Sequence, residues 1–340
     1  MLVVFSFVLL LFNSVFRNRL KYFNVFTSIF IISALIYSAG FRIDGYDFIN
    51  YKNGYEWNSF REPFFRLLVT FLHILSASYR SFFVIVATIT VLLTYKYLTK
   101  EDGELYWLAL LVFVSNYYMQ HDYIQIRIGL ACSIFLYQLY YIAKGKKKKA
   151  LALWIISCCC HFSMIIGAVS FFISKKRISD FEALSFLLIF TFLFILAIKG
   201  FSLVSLAYHI PGISYYYRLY TLAMKNGQYT TINIYNPLYL LRFFIFFLCL
   251  FKRKILLKYT GDIFYYLRLY FCGILIYLLL ADIPVFAFRG SEIFFITELL
   301  LFPMIKRLFA DKNIGNCSVA LVAVIFFGIN VFHNHLLMHL

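Results

Sequence analysis

The chain has 340 residues, of which 63% are hydrophobic and 14% charged, with 32 Lys and Arg against 15 Asp and Glu. A water-soluble domain is typically about 45–50% apolar and about 25% charged, so this composition excludes an ordinary soluble protein and makes lipid the expected solvent. The formal charge of +17 does not indicate nucleic acid, because the basic residues fall in short gaps between apolar runs, where they set membrane orientation.

A bilayer core needs roughly 20 apolar residues per helix. In chain order the apolar segments are Leu2–Phe16, Phe23–Ala39, Phe64–Ala77, Phe82–Leu98, Leu105–Tyr118, Ile124–Ile142, Leu151–Ile173, Ala183–Leu203, Pro237–Phe251, Ile263–Leu280, Ile293–Phe309 and Val319–Val331. The first lacks a basic start and a small-residue cleavage site, so it reads as a retained helix. The expected fold is all-α: one polytopic membrane domain over residues 1–340 with about 10–12 transmembrane helices. The seven Cys, three of them consecutive (Cys158, Cys159, Cys160), include no CxxC pair. They read as small apolar residues, with no zinc site or disulfide framework; no metal and no cofactor are expected.

Charge placement refines the count. The clusters Arg17 to Lys21, Lys144 to Lys149, Lys175 to Arg177, Lys252 to Lys258 and Lys306-Arg307 all belong on the cytoplasmic side. Twelve simple crossings cannot put them there. The conflict resolves if Phe64–Ala77, short and interrupted by Arg66 and His73, does not fully cross. It also requires Leu151–Ile173, with His161 in its middle, to be broken or re-entrant. Non-helical backbone at membrane depth is tolerated only where protein buries it or water lines it. The opposite face then receives residues 40–61, 119–123, 207–236 and 282–292.

Those outer segments hold polar groups that orientation does not explain, and ionisable groups at membrane helix ends are functional candidates. Arg127, Arg242 and Arg289 lie near outer helix ends, and a guanidinium fork takes phosphate oxygens in pairs. Each either binds an anion or snorkels and pairs with a carboxylate. Arg66 and Arg218 join them as candidate phosphate or sugar contacts. His161 is either a packing residue or a proton acceptor. Asp44 and Asp47, three apart with Gly45 between, are either a base and sugar ligand or turn and cap residues. They do not form a DxD metal motif. Glu62-Pro63 is a helix start, with Glu62 either structural or paired to an arginine. Tyr51 is a sugar-stacking face or part of an interfacial belt.

Three runs resemble one family. Asp44-Gly45-Tyr46-Asp47, Tyr51 and Arg61-Glu62-Pro63-Phe64-Phe65 are similar to the first outer loop of the EpsG-like polysaccharide polymerases, which include O-antigen polymerases of the Wzy type. Asp122-Tyr123-Ile124-Gln125-Ile126-Arg127, followed by a basic loop and Cys160-His161-Phe162-Ser163, resembles the middle of that family. Ile283 to Phe295, with Arg289-Gly290-Ser291-Glu292, resembles its C-terminal part. Gly129 stands where a slightly different pattern is expected.

The resemblance implies a GT-C-like membrane glycosyltransferase on the outer face of the bacterial inner membrane. It would move a glycan from an undecaprenyl pyrophosphate-linked donor to a lipid-linked acceptor repeat, with inversion and without metal. Arg127, Arg289 and Arg242 would hold the leaving pyrophosphate, and His161, Asp47 or Asp44 would act as base. A chain-length regulator protein and membrane lipid are the implied partners, and no nucleic acid. A flippase for lipid-linked saccharide would share the arginines and broken helices. A non-enzymatic export subunit would need no buried Arg and His together. A membrane acyltransferase would need a His-Asp arrangement that the sequence lacks.

Overall fold

The computed structural model describes residues 1–337 apart from 17–20, 44, 46, 101–102, 201–212 and 227–231; the side chains of 16, 21–24, 103–104, 213, 215–217, 220 and 223 are also outside it. Asp44, Arg17, Arg19 and much of the expected outer loop 207–236 therefore lie outside the described residues. Among the described residues every regular element is a helix, as the composition implies. The chain divides into two compact units, Met1–Phe171 with Phe302–Leu340, and Phe172–Leu301.

The first unit holds α1 (Leu2–Phe16), α2 (Lys21–Gly40), α3 (Phe48–Glu56), α4 (Pro63–Ile74), α5 (Tyr79–Leu98), α6 (Gly103–Val112), α7 (Ile126–Ala143) and α8 (Lys147–Cys160). The second holds α9 (Asp180–Ile198), α10 (Ile213–Lys225), α11 (Pro237–Phe251), α12 (Arg253–Leu256), α13 (Ile263–Leu279), α14 (Pro284–Phe295) and α15 (Glu298–Leu301). The last helix, α16 (Lys312–Gly328), returns to the first unit.

Among the described residues, four helical stretches are long and apolar enough to cross a membrane: Tyr79–Leu98, Ile126–Ala143, Asp180–Ile198 and Lys312–His333. The other apolar helices run 10–17 residues, so helix length alone does not deliver the ten to twelve crossings expected. The difference comes from interruptions that leave apolarity unchanged. Leu105–Tyr118 is α6 followed by a wide helical stretch, Phe113–Ile124, where the Gln125 amide donates to the Gln120 carbonyl five residues back at 3.2 Å. Leu151–Ile173 breaks at His161, whose backbone is extended (φ −156, ψ 122) between α8 and the tightly wound Phe162–Phe171. Ile293–Phe309 comes in three pieces, the end of α14, α15 and a tight helix Pro303–Leu308. Pro303 accounts for one of those breaks, since it has no amide hydrogen and its ring crowds the preceding turn. Helix α4 has 12 residues, roughly 18 Å at about 1.5 Å per residue, well short of a bilayer core of about 30 Å.

Two expected outer loops are not open loops. Met119, His121 and Asp122 are buried inside the wide stretch, and residues 284–292 form most of α14 with Ser291 and Glu292 buried.

In the first unit α7 packs along α8. Gly145, at φ +72, makes the sharp turn between them, and the Lys146 amide donates to the Tyr141 carbonyl at 2.8 Å. So short a turn makes the two helices antiparallel, which sets the start of α7 beside the end of α8. Helix α4 packs on both α5 and α8. The wide stretch closes against α7 at Gly129, where a Cβ would stand 2.8 Å from Asp122 Oδ1 and 2.9 Å from the His121 carbonyl oxygen. Gly129, unusual in the sequence pattern, is the residue that permits this approach.

In the second unit the start of α9 is tied down by cations. Arg268 spans both Glu182 oxygens at 2.7 and 2.9 Å and donates to the Ser174 and Lys176 carbonyls at 2.8 Å each. Arg253, itself buried, donates to Asp180, to the Ile178 carbonyl at 3.0 Å and to the Leu250 carbonyl at 2.9 Å. The Leu250 carbonyl, in the last turn of α11, is one that the helix itself leaves unpaired, and the other three belong to the segment leading into α9.

Candidate functional site

The first unit gathers several predicted residues at the adjoining ends of α4, α7 and α8. Glu62 sits just before α4 with extended backbone (φ −73, ψ 128), and Pro63 opens the helix. The second residue of α7, Arg127, places one nitrogen, Nη1, 2.8 Å from each Glu62 oxygen. The Glu62 side chain is 6% exposed and that of Arg127 28%. The Arg127 guanidinium lies 5.4 Å from the Tyr51 ring centroid and 5.8 Å from that of Phe60. The Glu62 carboxylate also acts electrostatically on the Cys160 thiol, at the end of α8 and next to His161.

His161 is half-buried at the break. Its Nδ1 is 2.6 Å from Ser163 Oγ and accepts from the Ser163 amide at 3.3 Å. Amide donation to Nδ1 favours the neutral tautomer with hydrogen on Nε2, and the Ser163 hydroxyl can serve either tautomer. The Trp154 indole donates to the Met164 carbonyl at 2.9 Å and ties the segment after the break back to α8.

Asp47 is half-buried, precedes α3 and caps it with no side-chain hydrogen bond; its Oδ1 accepts from Asn50 at 3.4 Å. It acts electrostatically on Tyr51 and on Arg42. Arg42 is buried beneath Phe83, Tyr51 and Tyr123, with Nη1 3.4 Å from the Ile124 carbonyl and with no hydrogen-bond partner for Nε or Nη2 among the described residues. Asp122 is buried with neither carboxylate oxygen hydrogen-bonded. A buried polar group left unpaired costs about 1–3 kcal/mol, more when charged, so the region around Tyr51 and Tyr123 is held in a costly polar state.

The second unit has a separate cluster. Arg242 is fully buried, with Nη1 2.5 Å from Glu292 Oε1, Nη2 3.1 Å from Glu292 Oε2 and Nε 2.6 Å from Glu298 Oε1. The Tyr239 hydroxyl donates to Glu292 at 3.0 Å and the Tyr270 hydroxyl to Glu298 at 3.1 Å. The rings of Tyr239 and Phe295 lie 4.9 and 4.6 Å from the guanidinium carbon. Arg242 was expected to face a pyrophosphate at an outer helix end; its fork is instead fully engaged inside the unit by two carboxylates.

Asp47, Tyr51, Glu62, Arg127 and the His161 break therefore come together in the first unit. Arg66 is exposed on α4. Arg218 is exposed on α10 of the second unit. Arg289 is half-buried on α14 and its side chain makes no ion pair or hydrogen bond among the described residues. No group of three or more His, Cys, Asp or Glu side chains gathers among the described residues in a way that could hold a metal ion.

Sequence reasoning assigned no role to Arg42, Asp122 or Glu298. Glu298 had a visible signal, a lone carboxylate in the middle of the apolar run Ile293–Phe309. Arg42 and Asp122 stand among the polar groups of the expected outer segments, but the unpaired state of their side chains among the described residues exists only in the folded chain.

No curated protein and no solved structure matches the chain. The model of the EpsG family does match, over residues 34–339, which takes in all three of the runs described above. With nearly the whole chain inside that match, from before Arg42 to beyond Arg289, the protein belongs to the EpsG family.

Proposed function

We propose that the protein polymerises lipid-linked oligosaccharide repeat units of a surface polysaccharide, such as an O-antigen. EpsG family membership points to a polysaccharide polymerase-like role. The observation that carries the reaction is the Glu62–Arg127 pair, set on the Tyr51 ring at the helix ends where α8 breaks at His161. It joins an anion-binding guanidinium, a sugar-stacking aromatic and proton-accepting groups in one unit.

An acceptor hydroxyl oxygen attacks the anomeric carbon of an undecaprenyl pyrophosphate-linked donor. The new C–O bond forms as the anomeric carbon–oxygen bond to the pyrophosphate breaks, and the leaving group departs with the electron pair. The hydroxyl proton goes to His161 or Asp47. Attack from the face opposite the leaving group inverts the anomeric centre. Arg127 stabilises charge developing on the leaving pyrophosphate, a task that fixed cations perform without reorganising as the reaction proceeds. Arg289, whose fork is unengaged among the described residues, is a further guanidinium for a substrate phosphate. The reaction belongs on the outer face of a bacterial inner membrane, where the charge pattern puts the start of α7.

Purified protein given a single lipid-linked repeat unit should form longer lipid-linked products with nothing else added. Arg127→Ala and Arg289→Ala should each shorten the polymer or abolish it in cells. Unchanged chain length in both variants would reject the assignment. Translocation of the lipid-linked unit without elongation, in a reconstituted system, would favour a flippase.

A further inference from the structure

Arg42 directly follows the last turn of α2, and the mechanism above leaves it without a task. Three rings surround its guanidinium, Phe83 at 4.9 Å and Tyr51 and Tyr123 at 5.8 Å each. Aromatic rings hold a cation over their faces, which leaves the guanidinium N–H groups free to seek acceptors. Nη1 has the Ile124 carbonyl at 3.4 Å, while Nε and Nη2 have no partner and are buried. Those two nitrogens share one edge of the planar group, and their N–H bonds run parallel. That edge is the fork which takes two oxygens of one phosphate.

Among the described residues this edge has no hydrogen-bond acceptor. The Asp47 oxygen nearest a donor takes Asn50, and Glu62 takes Arg127. Arg127 stands on the same Tyr51 ring at 5.4 Å, and its Nε is likewise unpartnered. Two guanidinium groups thus lie over the same tyrosine ring, each with an unpartnered donor among the described residues.

We propose that Arg42 and Arg127, which share the Tyr51 ring, form a two-guanidinium seat for a diphosphate, gripped by the Nε–Nη2 edge of Arg42. The choice of a diphosphate over a single phosphate rests on the polymerase reading. Two cations on one ring match two linked phosphates better than the single phosphate of a phospholipid headgroup. The unpaired edge of Arg42 is buried, so a ligand held there would protect the backbone packed around it.

The protein in phosphatidylcholine nanodiscs is titrated with inorganic pyrophosphate and, separately, with inorganic phosphate. Pyrophosphate should bind at least about tenfold tighter than phosphate. Arg42→Lys keeps the charge but lacks the fork, and should weaken pyrophosphate binding about tenfold or more, as expected for losing charge-assisted hydrogen bonds. A buried substitution can impair folding, so wild-type protein supplies the second measurement. Pyrophosphate should slow backbone hydrogen exchange in peptides covering residues 41–56 and 124–130.

Equal pyrophosphate affinity in folded Arg42→Lys, or no slowing of exchange in wild type, overturns the proposal. The same slowing produced by phosphatidylglycerol nanodiscs without pyrophosphate assigns the edge to a lipid headgroup and also overturns it. Arg42-dependent pyrophosphate binding by a protein that does not elongate lipid-linked repeats keeps the seat and rejects the polymerase reading. Elongation by a protein whose pyrophosphate affinity ignores Arg42 does the reverse.

Discussion

Arg127 and Arg242 look alike in the sequence, each near the outer end of an apolar segment, yet their surroundings differ. Arg127 keeps part of its guanidinium exposed and shares one nitrogen with Glu62. Truncating Arg127 and Glu62 singly and together should give a coupling energy of about 0.5–3 kcal/mol in reversible unfolding in detergent. Additive losses would mean that the pair does not act as one. Arg242 is enclosed by Glu292 and Glu298. Arg242→Met leaves two buried carboxylates without their cation, which should cost roughly 3–5 kcal/mol in the same measurement. A cost below about 1 kcal/mol would show that the carboxylates do not depend on it. The sequence shows that these arginines are unusual for a membrane segment. It does not show which one is enclosed, because the carboxylates of Arg242 lie 50 and 56 residues further along the chain.

At the scale of elements, hydropathy finds helical segments and overlooks how they are wound. A wide turn or a tight turn uses the same apolar residues as an α-helix, so Phe113–Ile124 and Pro303–Leu308 look unremarkable in composition. The break at His161 is legible because charge parity demands an interruption in that segment and His161 is the polar residue within it. Gly129 offers a direct test of the wide stretch. Gly129→Ala pushes a Cβ into the His121 backbone and Asp122, and should destabilise the protein by about 1–3 kcal/mol, as overpacking does. Gly261→Ala meets nothing within 4 Å and should stay within about 0.5 kcal/mol of wild type. Equal effects in thermal unfolding would show that the stretch does not press on α7.

For the whole molecule, the distribution of Lys and Arg predicts that Lys146 and Lys254 share the cytoplasmic side. Reporter fusions at these two positions should give the same sidedness, and opposite sidedness would overturn the charge-based topology. The sequence by itself determined the all-helical membrane class, the family and the break at His161. Composition, motif order and charge parity are properties of the chain read along its length. The tertiary structure decided which polar residues meet. Asp47 and Tyr51 are one turn apart at the start of α3, but loops separate them from Glu62 and whole helices from Arg127, and only packing brings these together. It also decided that Arg242 is enclosed and that the Arg42 fork is unpaired. Hydrogen-bond satisfaction is a property of the folded surroundings of a group, and no spacing along the chain encodes it.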